Sequence, residues 1–303
     1  MTLRPFSTVM KALAEIFLLS WLLLSPMAWA QDQAIADQAC LQCHTVQVSP
    51  AVHGIFANHH GAGKAGNSGF CSQCHGGSAA HRGDPLKHPP DIRFGEQASA
   101  PHQQNEVCLD CHKGQQRMAW SGSAHEQEQL ACASCHSLHP VQDPVLAAGQ
   151  QADRCFDCHR SVQAKTQLPS THPTAAGQMQ CSDCHNPHGS PTPASLTGVT
   201  LNDTCFGCHA EKRGPFLFEH APAAEDCGLC HDPHGSINRD LLTNRTPFLC
   251  QQCHSAAFHP SQLLDGSGLP AGSANMNLLG GNCLNCHSQV HGSNHPSGGR
   301  LTR

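Results

Sequence analysis

The sequence lacks tyrosine altogether and has three tryptophans, two of which, Trp21 and Trp29, fall in the first 30 residues. Aromatic residues make up 5% of the chain and charged residues 13%. Long apolar periodic segments are missing beyond residue 30. A chain this poor in large apolar side chains is either disordered or filled by apolar material of another kind. There is no basic run of the sort that binds nucleic acid and no glycine-rich phosphate loop. The formal net charge is −5, or −6 without Arg4, Lys11 and Glu15.

Cysteine, by contrast, is abundant and fully organised. All 20 cysteines fall in ten copies of Cys-x-x-Cys-His, with none left over. The copies are Cys40, Cys43, His44; Cys71, Cys74, His75; Cys108, Cys111, His112; Cys132, Cys135, His136; and Cys155, Cys158, His159. The second five are Cys181, Cys184, His185; Cys205, Cys208, His209; Cys227, Cys230, His231; Cys250, Cys253, His254; and Cys283, Cys286, His287. This is the mark of c-type haem attachment. Two thiols three residues apart lie on one side of a helical turn, where they reach the vinyl groups on one haem edge. The next residue can swing its imidazole under the ring to bind iron. Zinc ribbons and thioredoxin-like redox sites also use Cys-x-x-Cys, but neither needs His after every pair. Ten covalent c-type haems would supply the apolar surface that aromatic residues usually provide. The expected fold is mostly α and irregular, with short helices and long loops wrapped around a linear stack of haems. The apo chain should not fold.

Arg4 and Lys11, the apolar run Ile16 to Leu24, and Ala28-Trp29-Ala30 form a signal peptide spanning 1–30, with cleavage after Ala30. The run is shorter than the ~20 apolar residues of a spanning helix. Gln31 at the cleavage point is not the cysteine of a lipoprotein. Removing 30 of 303 residues leaves 273, or about 27 per haem, for a water-soluble periplasmic protein.

Repetition is clearest between even-numbered motifs and the odd one that follows. Cys181-Ser-Asp-Cys-His-Asn-Pro-His188-Gly-Ser leads to Cys205, and Cys227-Gly-Leu-Cys-His-Asp-Pro-His234-Gly-Ser leads to Cys250. Cys132 to Cys155, with His139, is a diverged copy. The paired motifs are 23, 24 and 23 residues apart. Such regularity suggests units that fix two haems and stack in a line.

Fifteen histidines lie outside the motifs. Most segments between motifs offer one, so His60, His81, His125, His139, His172, His188, His220, His234, His259 and His291 are read as distal iron ligands. His53, His59, His88, His102 and His295 are equally well polar loop residues. Past residue 30 the methionines are Met118, Met179 and Met276, so ten bis-His haems of low potential are the simplest solution. With both axial positions filled, no iron is open to substrate. The expected role is electron transfer, without a substrate site of its own.

The detailed wording resembles the MtrA/DmsE family of periplasmic decahaem cytochromes, which includes PioA- and MtoA-like members. The likeness rests on Cys-His-x-Pro-His-Gly-Ser at His185 and His231, Gly214-Pro-Phe-Leu-Phe-Glu-His220, and Pro247-Phe-Leu-Cys-Gln-Gln-Cys-His254. It extends to Val290-His-Gly-Ser-Asn-His-Pro296, Gln104-Asn-Glu-Val-Cys-Leu-Asp-Cys-His112 and Trp120-Ser-Gly-Ser-Ala-His125. The chain also looks like two pentahaem halves, 31–176 and 177–303, each similar to the small pentahaem donor of periplasmic nitrite reductase. The resemblance implies a conduit inside an outer-membrane β-barrel porin. It would link a periplasmic or inner-membrane cytochrome to the exterior, where an extracellular cytochrome, a reductase, metal oxides, Fe(II) or dimethyl sulfoxide exchange electrons. A compact 273-residue globule is about 48 Å across, against about 40–45 Å for a bilayer with headgroups. Two other readings remain open: a soluble periplasmic carrier feeding a reductase, and a multihaem oxidoreductase with an open iron.

Overall fold

The computed structural model describes residues 38–45, 71–95, 97–140, 142–254, 282–296 and 298–302. The signal segment, the cleavage point at Ala30, and the expected ligands His60 and His259 lie outside them.

Short helices and loops make up almost all of the described chain, as the composition leads one to expect. The longest described helix, Pro101–Leu109, has nine residues and begins with proline, whose missing N–H costs nothing in a first turn. The only described strands are β1 (Phe218–Glu219) and β2 (Gly292–Ser293), which pair antiparallel with Phe218 opposite Ser293. Among the described residues the buried apolar side chains are Trp120, Ala131 and Ala147, and no large side chain is fully buried. Side chains alone therefore do not make a core. No described helix is long and apolar enough to cross a membrane.

The described residues fall into two compact units, those within 1–114 and 126–146 and those within 115–125 and 147–303. From motif 3 onward the motifs alternate between two local settings. The odd-numbered motifs at Cys108, Cys155, Cys205 and Cys250 sit at the ends of α-helices: Pro101–Leu109, Gln151–Phe156, Leu201–Phe206 and Phe248–Gln251. Thr200 caps the third, its hydroxyl accepting the Asp203 N–H. The even-numbered motifs at Cys132, Cys181, Cys227 and Cys283 open single 3-10 turns.

Buried amides one turn before odd motifs hold the next even motif in place. Asn105 Oδ1 accepts the Cys132 N–H at 2.7 Å while its Nδ2 donates to Leu130 O. Asn202 Oδ1 accepts the Cys227 N–H at 2.7 Å and its Nδ2 donates to the Ala223 and Ala224 carbonyls. Gln151 does the same one motif pair earlier, accepting the Ser182 N–H and donating to the Ser182 hydroxyl. Each amide fills both halves of its hydrogen-bonding capacity, so it fixes the distance between two consecutive attachment points.

Candidate haem sites

Each motif closes a helical turn on itself. The His N–H donates to the carbonyl of the first Cys at 2.8–3.0 Å in motifs 1, 3, 4, 5, 6, 7, 8, 9 and 10, and motif 2 is itself the helix Cys71–His75. Both thiols thus project from one turn, with the imidazole beginning where the turn ends.

Within each unit, motifs that are neighbours in sequence are neighbours in space. In the thiol form, Cys108 and Cys132 hydrogen-bond each other, which pushes Cys108 up and Cys132 down. The bond from Cys155 holds Cys181 at about 7. Burial and then the Cys227 thiol take Cys205 to about 12, and burial and then Cys283 take Cys250 to about 11. These contacts join motifs 3 and 4, 5 and 6, 7 and 8, and 9 and 10 through their first cysteines. Weaker interactions through second cysteines join 6 to 7 (Cys184 and Cys208) and 8 to 9 (Cys230 and Cys253). Motifs 5 to 10 accordingly form one unbroken series within their unit, linked alternately by first and second cysteines.

Across from seven motif histidines stands a second histidine ring. The pairs are His44 and His81, His75 and His139, His159 and His125, His185 and His234, His209 and His172, His231 and His291, and His254 and His220. Their ring centres are 6.0–6.4 Å apart. That is too far for stacking contact, but it suits a metal between them. A metal–nitrogen bond of about 2.0 Å plus about 1.1 Å from nitrogen to ring centre, taken twice, is roughly 6.2 Å. The residues therefore fit a haem iron. Seven of the ten distal histidines read from the sequence stand in these pairs. An eighth, His188, lies near Trp120, with ring centres 6.4 Å apart.

One ring of each such site is anchored at Nδ1, leaving Nε2 for the metal. In odd motifs it is the distal ring: His81 donates to His88 O, His125 to Pro187 O, His172 to Pro233 O and His220 to Val290 O, at 2.7–2.8 Å. In even motifs it is the motif ring: His75 donates to Ile92 O, His185 to Ala194 O, His231 to Asp240 O and His287 to Arg300 O, at 2.6–3.0 Å. His136 alone among these anchored rings uses a carboxylate, that of Asp143. Burial lowers the pKa of His139, His234 and His291 and so favours their neutral form; nearby His75, His185 and Lys212, respectively, add to the effect. Neutral imidazole is the ligating form.

His188, His234 and His291 are each followed by glycine with a left-handed φ: Gly189 at 99°, Gly235 at 150° and Gly292 at 136°. A β-carbon there would run into Ala119 O, Lys165 O and the Phe216 ring, respectively. The glycines let each His-Gly-Ser segment press against an earlier stretch of chain, and that earlier stretch carries another distal ligand. His125 bonds Pro187 O, next to His188. His172 bonds Pro233 O, next to His234. His220 bonds Val290 O, next to His291. Ser170 and Ser236 exchange backbone hydrogen bonds in the second knot, and β1 and β2 do so in the third. The recurring His-Gly-Ser was visible in the sequence; its cross-chain partners were not. Sequence reasoning also missed Asn105, Gln151, Asn202 and Asp143.

Comparison with known proteins places this geometry. The family described as cytochrome c-type protein NrfB-like matches residues 71–152, and the doubled CXXCH motif family matches 172–214 and 220–259. Multiheme cytochrome MtrA of Shewanella baltica is 46% identical over 272 residues, covering 88% of this chain and 80% of that protein. Cytochrome c-type protein NrfB of Escherichia coli is 34% identical over 39% of this chain and 65% of its own length. NrfB of Haemophilus influenzae is 32% identical over 37% and 58%. The resemblance read from the motifs is thus upheld: this chain binds haem c, transfers electrons, and belongs to the MtrA family of multihaem c-type cytochromes.

Proposed function

We propose that the chain holds ten bis-His c-type haems and conducts electrons across the outer membrane inside a β-barrel porin. The similarity to MtrA along 88% of the chain carries this reading. The unbroken series of motifs 5 to 10 and the histidine pairs at 6.0–6.4 Å support it from the geometry. The haems, once bound, supply the one-electron Fe(III)/Fe(II) couple. The chain's own residues do the rest. The cysteines would hold each haem, the paired imidazoles would ligate its iron and leave no place for substrate, and the Nδ1 anchors keep those rings from turning. His60 and His259 complete the proposed ligand set, and 31–176 and 177–303 are its pentahaem halves.

The mean hydropathy is −0.36, so the surface suits water rather than lipid. A polar chain can bridge a bilayer only inside a closed protein wall, and a barrel is the structure that meets every backbone hydrogen bond in hydrocarbon. The protein would be exported with cleavage after Ala30 and would work from the periplasm. A periplasmic or inner-membrane cytochrome would meet one end, and an extracellular cytochrome, reductase, metal oxide, Fe(II) or dimethyl sulfoxide system the other. The similarity to NrfB over 39% of the chain favours a second reading, a soluble periplasmic carrier feeding a reductase.

A tag after Arg303 distinguishes the two. Outer membranes are solubilised gently and the haem-stained band is purified. A stoichiometric β-barrel protein alongside it is the expected result. Recovery from the soluble periplasm with no barrel would overturn the conduit and leave the carrier.

A further inference from the structure

Four even-numbered motif histidines give their Nδ1–H to a neutral backbone carbonyl. His136 gives it to Asp143 Oδ2 at 2.7 Å. Asp143 is 3% exposed, and its other oxygen accepts the Ser137 and Val145 N–H groups at 3.2 and 3.3 Å. The backbone thus holds Oδ1 while Oδ2 faces the ring.

The difference between the two partners is chemical. A carbonyl orients the imidazole. A carboxylate orients it and also draws on the Nδ1 proton, which pushes electron density toward Nε2 and makes the ring a stronger donor. A stronger donor favours the more highly charged metal state. The carboxylate's own negative charge acts in the same direction, and burial limits how far water screens it.

We propose that Asp143 is a potential-setting residue: through His136 it lowers the potential of the haem attached at Cys132 and Cys135. No other anchored ring described above has a carboxylate partner, so this site gives up its electron more readily than a carbonyl anchor would allow. The inference rests on the reading of His136 as an iron ligand.

The test uses the full-length, haem-loaded protein with Asp143→Asn, a near-isosteric change that removes the charge and leaves an oxygen acceptor. Asp183→Asn is the control. Its carboxylate caps the motif at Cys181 by accepting the Gln180 N–H rather than a ligand ring. Redox titration followed by EPR should show one haem in D143N whose ferric-to-ferrous ratio at fixed potential falls at least tenfold, an upward shift of about 59 mV for one electron. The g values of one low-spin ferric signal should move with it. The shift in D183N should be smaller. If D143N does not take up its full haem load, Asp143→Ser carries the same expectation. No haem shifting further in the Asp143 variant than in D183N would overturn the proposal. Mass analysis of the wild-type peptide containing Cys132 and Cys135 checks the underlying reading separately: a peptide without haem would defeat haem binding there, not the tuning alone.

Discussion

Replacing His234 by alanine should open one iron and only one. The His185 and His234 rings lie 6.0 Å apart and within 11° of parallel, the most nearly parallel of the seven pairs. His185 stays anchored through Nδ1 to Ala194 O at 2.8 Å, and its motif keeps both cysteines. The backbone around residue 234 also keeps its place. His172 holds Pro233 O at 2.8 Å, and Gly235 lies against Lys165 O. The change therefore removes a ring without moving its neighbours. It leaves roughly 3 Å of free axial space beyond a metal–nitrogen bond of about 2.0 Å, enough for a diatomic ligand. The assay is carbon monoxide added to dithionite-reduced protein. With ten motifs in the chain, the variant should shift about a tenth of its Soret absorbance and gain one high-spin signal when oxidised. The wild-type protein should shift none. A variant that binds no more carbon monoxide than wild type would refute the pairing of His185 with His234. A wild-type protein that binds it at a full haem equivalent would instead revive an open-iron enzyme.

Three further outcomes follow from the same contacts. Asn202→Ala leaves the Cys227 N–H and two carbonyls without their amide, and denaturant titration should show a loss of about 1–3 kcal/mol. Asn202→Asp should fare little better, because it keeps an acceptor for Cys227 but sets a carboxylate against the Ala223 and Ala224 carbonyls. Gly235→Ala, forced into a left-handed φ and into Lys165 O, should lower both melting temperature and haem yield, whereas Gly77→Ala, with open space around it, should change stability by no more than about 0.5 kcal/mol. The chain produced without haem attachment should give the circular dichroism of an unfolded protein, since Trp120, Ala131 and Ala147 are the buried apolar side chains among the described residues.

The ten motifs and the histidines that stand opposite seven of them could be picked out from residue type and spacing alone; which histidine faces which motif could not. His139 lies three residues after His136 yet faces His75, and His234 lies three after His231 yet faces His185. The reason is steric. A motif turn brings its own imidazole to one face of the haem, and three residues of chain cannot pass around the ring to the other. On the proposed ligation, a histidine so close in sequence would serve a different haem. Six of the seven described pairs follow two rules, the exception being His81, which comes after motif 2 and faces motif 1. A histidine just after an even motif faces the motif two earlier, as His139, His234 and His291 do. A histidine before an even motif faces the motif that follows it, as His125, His172 and His220 do. The buried amides were harder to see because a lone Asn or Gln carries no pattern. Their common position one turn before an odd cysteine becomes informative only once the contact with the next motif is known. Asp143 looked like any loop carboxylate, since nothing in the local wording shows that it turns inward.

This exchange of ligands has a consequence for how the protein can work. The segments around motifs 4 and 8 each place one histidine opposite an earlier motif, His139 and His234, and another opposite a later one, His125 and His220; the stretches that carry such histidines are knotted by the His125, His172 and His220 anchors. Removing either of these two segments would therefore take the facing histidine from motifs on both sides of it. A carrier that collects and releases electrons at one exposed site has no need of such interlocking, because any single haem could serve. A series that must pass every electron from one end to the other does need it, because one loosened ligand raises the potential of one site and interrupts the whole path. In the second unit the amides of Gln151 and Asn202 space the motifs while the anchors of His172 and His220 tie down the histidines between them, and this joint control of spacing and ring placement supports the proposed conduit over a carrier.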